Sequence, residues 1–149
     1  MFHKRIVTTV AVLTAALGVP LANASPAAAA AKPSRPSTCE ANWFCFYKDD
    51  QFNKNNPRDT RGRVQQTQKD LRVFSHPTCK GRSNGTWNDC MTSVFNDTAA
   101  CWHLFDSLNN IGGYHNLGAH DGYVNLGTQA DYNDVVSSLK RGGSSSCAF

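Results

Sequence analysis

The sequence predicts an all-β, disulfide-stabilised domain made of two related units. Three observations carry this. Helical periodicity is scarce, and short runs rich in aromatic and β-branched residues are bounded by Gly, Asn and Asp, the signature of strands joined by hairpins. A hexad occurs twice, as Asn88-Asp89-Cys90-Met91-Thr92-Ser93 and Asn133-Asp134-Val135-Val136-Ser137-Ser138. Each is Asn-Asp, two spacers, Thr or Ser, then Ser, running into an apolar residue, Val94 or Leu139. The 45-residue offset between them suggests two copies of one supersecondary unit. Finally, all six cysteines fall between positions 39 and 147.

Taken in order, residues 1–24 read as a secretory signal peptide outside the fold. His3, Lys4 and Arg5 form a basic start, an apolar stretch follows, and Ala22-Asn23-Ala24 fits a small-residue cleavage site. The apolar stretch is short and interrupted by Gly18 and Pro20, so it is a poor membrane span. Residues 25–38 are rich in Ala, Pro and Ser and lack periodicity, which reads as a disordered tail. Residues 39–149 remain as one domain, with units at about 39–96 and 97–149. Residues 43–47, 72–74, 101–105 and 122–126 are the expected strands. Gly112-Gly113, Gly118, Asp121-Gly122 and Gly127 mark turns in the second half. Residues 57–88 read as a long surface excursion in the first.

Six cysteines in an exported small domain imply three bridges, with fifteen connectivities open. The favoured set is Cys39–Cys45, Cys79–Cys90 and Cys101–Cys147, two local loops and one tie from the start of the second unit to the chain end. This set leaves no thiol as a nucleophile.

Charge excludes rather than assigns. Without Lys4 and Arg5 the formal charge falls from +4 to +2. Residues 48–82 hold nine Lys or Arg, while residues 88–139 hold six Asp and no Lys or Arg. A solvated charged face accounts for the basic stretch, and neither a nucleic-acid motif nor a further apolar run of membrane length is present. His76, His103, His115 and His120 are not spaced as helix-borne metal ligands. Asp49-Asp50 with Asp106 fits turn chemistry better than a glycosidase pair. No zinc-protease, nucleophile-elbow or phosphate-loop motif occurs, so the chain does not read as an enzyme.

An aromatic strand, a hairpin and a hexad, each occurring twice, resemble the βγ-crystallin Greek keys. Two registers for the opening hairpins stay open: Tyr47 with Phe105, or Tyr47 with His103. The first is preferred because it places glycines where the second hairpin folds over. The opening Cys39-x5-Cys45-Phe46-Tyr47-Lys48-Asp49 and the hexad at 133–138 are similar, more narrowly, to secreted actinobacterial proteins grouped as peptidase inhibitor family I36. Lys54 departs from the pattern by standing where the first hairpin usually has glycine.

The resemblance implies a double Greek key and a weak Ca²⁺ site at each hexad. Thr92 and Ser137 would give hydroxyls, and Cys90 and Val135 backbone carbonyls. Asn88 or Asp89, and Asn133 or Asp134, would give side-chain oxygens to the sister site. Carbonyls near Lys48 and Asp106 would complete each set, with Ser93 and Ser138 bracing the hairpins. Hard oxygen donors suit Ca²⁺.

The resemblance also implies a protease partner, most readily a metalloproteinase, and the chain is expected to act as a secreted monomer. An inhibitor offers a rigid loop that loses little entropy on docking, and the candidate is residues 79–90, closed by Cys79–Cys90, with Arg82 and Trp87 as anchors. The competing readings are a Ca²⁺-stabilised extracellular module without inhibitory activity and a small secreted toxin or antimicrobial.

Overall fold

The computed structural model describes residues 31–145 and Cys147, apart from the side chain of Arg82. The expected signal peptide and the first part of the expected tail lie outside these residues. Seven strands follow in order: β1 Phe44–Tyr47, β2 Gly62–Val64, β3 Ser93–Asn96, β4 Trp102–Phe105, β5 Tyr114–Leu117, β6 Asp121–Tyr123 and β7 Ser138–Arg141. They form two antiparallel sheets, ordered β2-β1-β3-β6 and β5-β4-β7.

The sheets exchange strands. β6 comes from the second unit but pairs with β3, with Phe95 opposite Gly122. In the opposite sense, Gln68 of the first unit bridges to Leu139 of β7, with a backbone bond in each direction. Each unit thus completes the other's sheet, as in a double Greek key.

Period-two alternation in β1 and β4 sends large side chains into the space between the sheets. Phe44 and Phe46 face Trp102, Leu104, Val94 and Leu139, all fully buried. Phe44 lies 4.8 Å from Trp102, ring to ring. On the other face of β1, Cys45 and Tyr47 pack with Cys39 and Phe95 in a second, smaller cluster. β1 is therefore buried on both faces. β2 must lie close beside it, and Gly62 is required there because a Cβ would run into the Phe46 ring.

A buried polar knot closes the link between units. Asn96 donates to the carbonyls of Ala100 at 2.8 Å and Gly118 at 2.7 Å. Its Oδ1 accepts from the Thr98 N–H and hydroxyl, and Trp102 Nε1 donates to Thr98 Oγ1. Each side-chain group thus has a partner, as burial demands.

The three disulfides are Cys39–Cys45, Cys79–Cys90 and Cys101–Cys147, the favoured set. Two expected strands differ. Residues 71–73 form a 3-10 turn, because the Asp70 side chain caps it by accepting from the Arg72 N–H and also binds the Arg72 guanidinium. The strand expected at 122–126 ends at Tyr123, and Leu126–Ala130 is one helical turn capped by Asn125. Residues 31–38 carry defined contacts: Lys32 pairs with Asp121, Arg35 with Asp97, and Thr38 lies 3.1 Å from the Tyr47 hydroxyl.

Candidate functional site

The two hexads meet across the junction of the units and exchange contacts. Asp89 N–H donates to the Val136 carbonyl at 3.0 Å, and Asp134 N–H to the Met91 carbonyl at 3.1 Å. Asp89 and Asp134 both take the left-handed conformation, with φ of 52°, which Asp tolerates. Ser137 Oγ donates to Asp89 Oδ1 at 3.0 Å, while Thr92 Oγ1 lies 3.5 Å from Asp134 Oδ1. Asn88 and Asn133 each donate to the neighbouring Asp at 2.8 Å.

The last serine of each hexad is buried and ties down the opening hairpin of its unit. Ser93 Oγ donates to the Asp49 carbonyl and accepts from the Phe52 N–H; Ser138 Oγ does the same with Ser107 and Asn110. Asp49 therefore matches Ser107, and Tyr47 matches Phe105. Lys54 then corresponds to Gly112. Its φ is −54° where Gly112 has +87°. Both hairpins take positive φ just before this, at Gln51 and Phe52 in the first and Asn109 and Asn110 in the second; the first adds Asn53 at +58°, where Ile111 has −120°, and β2 resumes only at Gly62.

Around the first hexad the chain leaves a shallow cavity of about 310 Å³. Lys48, Cys90, Thr92 and Asp134 line it, so the first expected ligand set is brought to one place. Burial first, then the nearby Asp89 carboxylate, raise the Asp134 pKa, while hydrogen bonds from Thr92 and Asn133 lower it. Asn88 Oδ1 is buried without a donor. Hydroxyls, carbonyls and these carboxylates are the donor chemistry Ca²⁺ takes, so the residues fit that ion. Among the described residues, no group of three or more His, Cys, Asp or Glu gathers, and such a site would lean on neutral oxygens. Val135, of the second expected set, is partly exposed, and Asp106 turns back to accept from Ser107 Oγ and the Gly113 N–H.

The segment 79–90 is a tight, self-bonded loop. Cys79–Cys90 joins its ends. Gly85 N–H donates to the Cys79 carbonyl, Asn84 N–H to Gly81 and Thr86 N–H to Ser83, while Ser83 Oγ donates to the Asp89 carbonyl. Below it, His76 N–H donates to Gly85 and Trp87 N–H to Phe74. Lys80, Gly81 and Asn84 are exposed. Lys80 and Ser83 also line the hexad cavity, so the loop forms its rim.

Trp87 is not an exposed anchor. It is 2% exposed, edge-on to Phe46 at 4.7 Å and to His76 at 4.2 Å. The cause is its place just before the first hexad, where the chain passes back over the sheet. Of the Arg82 side chain nothing is described. Sequence reading also missed what lies beneath the loop. Buried His76 has Nε2 2.9 Å from the Thr60 carbonyl and Nδ1 3.0 Å from Thr78 Oγ1, and Thr78 lies 3.3 Å from Asp59. Asp59 and Thr60 lie 16 to 19 positions from His76 and Thr78, so the two pairs share no local pattern.

The model of peptidase inhibitor family I36 matches residues 32–118, more than half the chain. No curated protein matches it. Among solved structures, a βγ-crystallin from Ciona intestinalis is 21% identical with a TM-score of 0.50, covering 66% of this chain and 98% of its own. A structure concerned with the evolution of the eye lens βγ-crystallin domain fold is 18% identical with a TM-score of 0.51, covering 76% and 91%. These likenesses establish a βγ-crystallin fold.

Proposed function

The chain belongs to peptidase inhibitor family I36, and we propose that it acts outside the cell as an inhibitor of metalloproteinases. The observation that carries this reading is the loop closed by Cys79–Cys90. Its ends are covalently joined, its backbone is bonded to itself and to the underlying chain, and Lys80, Gly81 and Asn84 stand in solvent. A loop fixed in one conformation loses little entropy when it enters a cleft. With Trp87 buried, the contact surface is the 80–84 tip. Three disulfides support an exported protein, since such bridges persist in oxidising surroundings. The test is an inhibition panel of secreted metallo-, serine and cysteine proteinases with the oxidised protein. Lasting inhibition of metalloproteinases is expected, and it should fall when Cys79 and Cys90 are both replaced by serine. Rapid cleavage without lasting inhibition would overturn the reading.

A second reading, a Ca²⁺-stabilised extracellular module, is favoured by the crossed pairs Ser137–Asp89 and Thr92–Asp134. Bound there, the ion would supply charge to hold the facing hexads. Thr92, Ser137, Asp89 and Asp134 are the side chains to hold it, with the carbonyls of Cys90 and Val135. Asp89 and Cys90 belong both to the loop and to the ligand set, so the two readings are separated with Thr92, Asp134 and Ser137, which lie outside the loop.

A further inference from the structure

Asn84 and Gly85 form the outer turn of the loop closed by Cys79–Cys90. They are the one Asn-Gly pair in the chain. Both take positive φ, 47° and 75°, which suits such a pair in a tight turn. Asn84 is exposed, and its side-chain amide bonds to nothing among the described residues. A Cβ at Gly85 would meet nothing within 4 Å, so the space over the turn is open.

This pair is reactive by constitution. The backbone nitrogen that follows an asparagine can attack the side-chain carbonyl carbon, and a glycine, having no Cβ, hinders that attack least. Here the loop opposes the reaction. The Gly85 N–H donates to the Cys79 carbonyl at 2.8 Å, which fixes the peptide plane and holds the proton in place. The acceptor is a bridged residue, so the bond and the bridge secure the same turn. The Asn84 N–H donates to the Gly81 carbonyl at 3.2 Å, and Asn84 has ψ of 43°. Ring closure needs the Gly85 nitrogen nearly eclipsed with Asn84 Cβ, a large rotation from that value. Attack therefore requires the loop to open locally first.

We propose that Asn84 is a self-modification site, which the closed 79–90 loop and its bridge keep latent. On opening, the Gly85 nitrogen bonds to Asn84 Cγ and closes a cyclic imide. The Gly85 proton goes to the side-chain nitrogen, which leaves as ammonia. Water then adds to either imide carbonyl, giving aspartate or isoaspartate. No oxidant or reductant takes part. Both products put a carboxylate on the exposed tip, and isoaspartate also lengthens the main chain, so the bonds to Cys79 and Gly81 lose their shared geometry. The inference goes beyond the inhibitor reading and does not depend on it.

The test incubates three samples side by side at mildly alkaline pH: the oxidised protein, the Cys79→Ser/Cys90→Ser variant, and the parent reduced and unfolded in guanidinium chloride. Peptide mass mapping and isoaspartate quantitation follow Asn84, with Asn55, exposed and outside the loop, as the internal reference. Relative to Asn55, conversion at Asn84 should be at least about tenfold slower in the folded parent than in the unfolded chain, the equivalent of about 1.4 kcal/mol. The variant should convert faster than the parent. Three results would each overturn the proposal: Asn84 converting as fast in the folded parent as in the unfolded chain, Asn84 failing to outpace Asn55 in the unfolded chain, or a variant that keeps its near-ultraviolet dichroism yet converts no faster than the parent. If the variant has lost that dichroism, the folded and unfolded parent decide.

Discussion

Ser93 and Ser138 occupy equivalent positions and make the same pair of bonds: each hydroxyl donates to a hairpin carbonyl at 2.6 Å and accepts a hairpin N–H three residues further on. Both serines are fully buried. Replacing either by alanine leaves an N–H and a carbonyl without their partner. Each substitution should cost about 1–3 kcal/mol, and the loss should be the same with calcium or with chelator. Urea unfolding in both buffers checks this.

Asp134→Ala and Ser137→Ala should behave differently. If the hexads take Ca²⁺, the ion raises the unfolding temperature by mass action. The gain is about 2.7 kcal/mol per site at a free concentration 100 times the dissociation constant. Both variants should shrink that gain. In chelator, Asp134→Asn should be at least as stable as the parent at neutral pH. Burial raises the Asp134 pKa, so folding favours its neutral form, and stability falls as pH rises above the ordinary carboxylate range. Melting curves in chelator and in millimolar Ca²⁺ decide it, and identical curves for the parent would reduce the hexads to structural turns.

Gly62→Ala should destabilise by about 1–3 kcal/mol, the usual cost of overpacking, because the new Cβ meets the Phe46 ring. Gly62→Ala combined with Phe46→Leu should recover part of the loss, since the ring is the obstacle. A double-mutant cycle by chemical denaturation measures the coupling.

Tyr132 donates to the Gly113 carbonyl at 2.6 Å, and burial, with the nearby Asp106 carboxylate, pushes its phenol up to about 12. A raised folded pKa means the unfolded chain loses this proton first. The stabilisation is complete below the unfolded value near 10 and is lost as pH rises through about 12. Tyr132→Phe should lose less stability over that window than the parent. The check is unfolding monitored at several alkaline pH values.

Selective removal of Cys79–Cys90, as the double serine variant, should cost roughly 2–3 kcal/mol on the chain-entropy model. The hydrogen bonds of Gly85, Asn84 and Thr86 would remain, so the loop should loosen rather than unfold. Amide exchange at Asn84 and Gly85 should rise more than at Leu104 in the core.

The parts legible in the sequence were those with a local or repeating signature. The hexads carry their own spacing, and the cysteines of two bridges are close in sequence, so repeat and pairing could be read directly. Trp87 could not be placed, because its burial depends on the 79–90 loop folding back over Phe46 and His76. Residues 71–73 look like a strand by composition, yet the Asp70 cap and its bond to Arg72 turn the backbone.

The exchange of β6 and the Gln68 bridge between sheets has a consequence for dissecting this chain. Each unit supplies three strands of its sheet and takes its last neighbour from the other, β6 in one and the Gln68 bridge in the other, so a break in the link between Asn96 and Cys101 would yield two fragments that each lack an edge partner. Expressed apart, each should expose an unpaired strand and remain unstructured or aggregate. Mixed, they should reassemble into one particle, each fragment serving as the template that the other needs to fold.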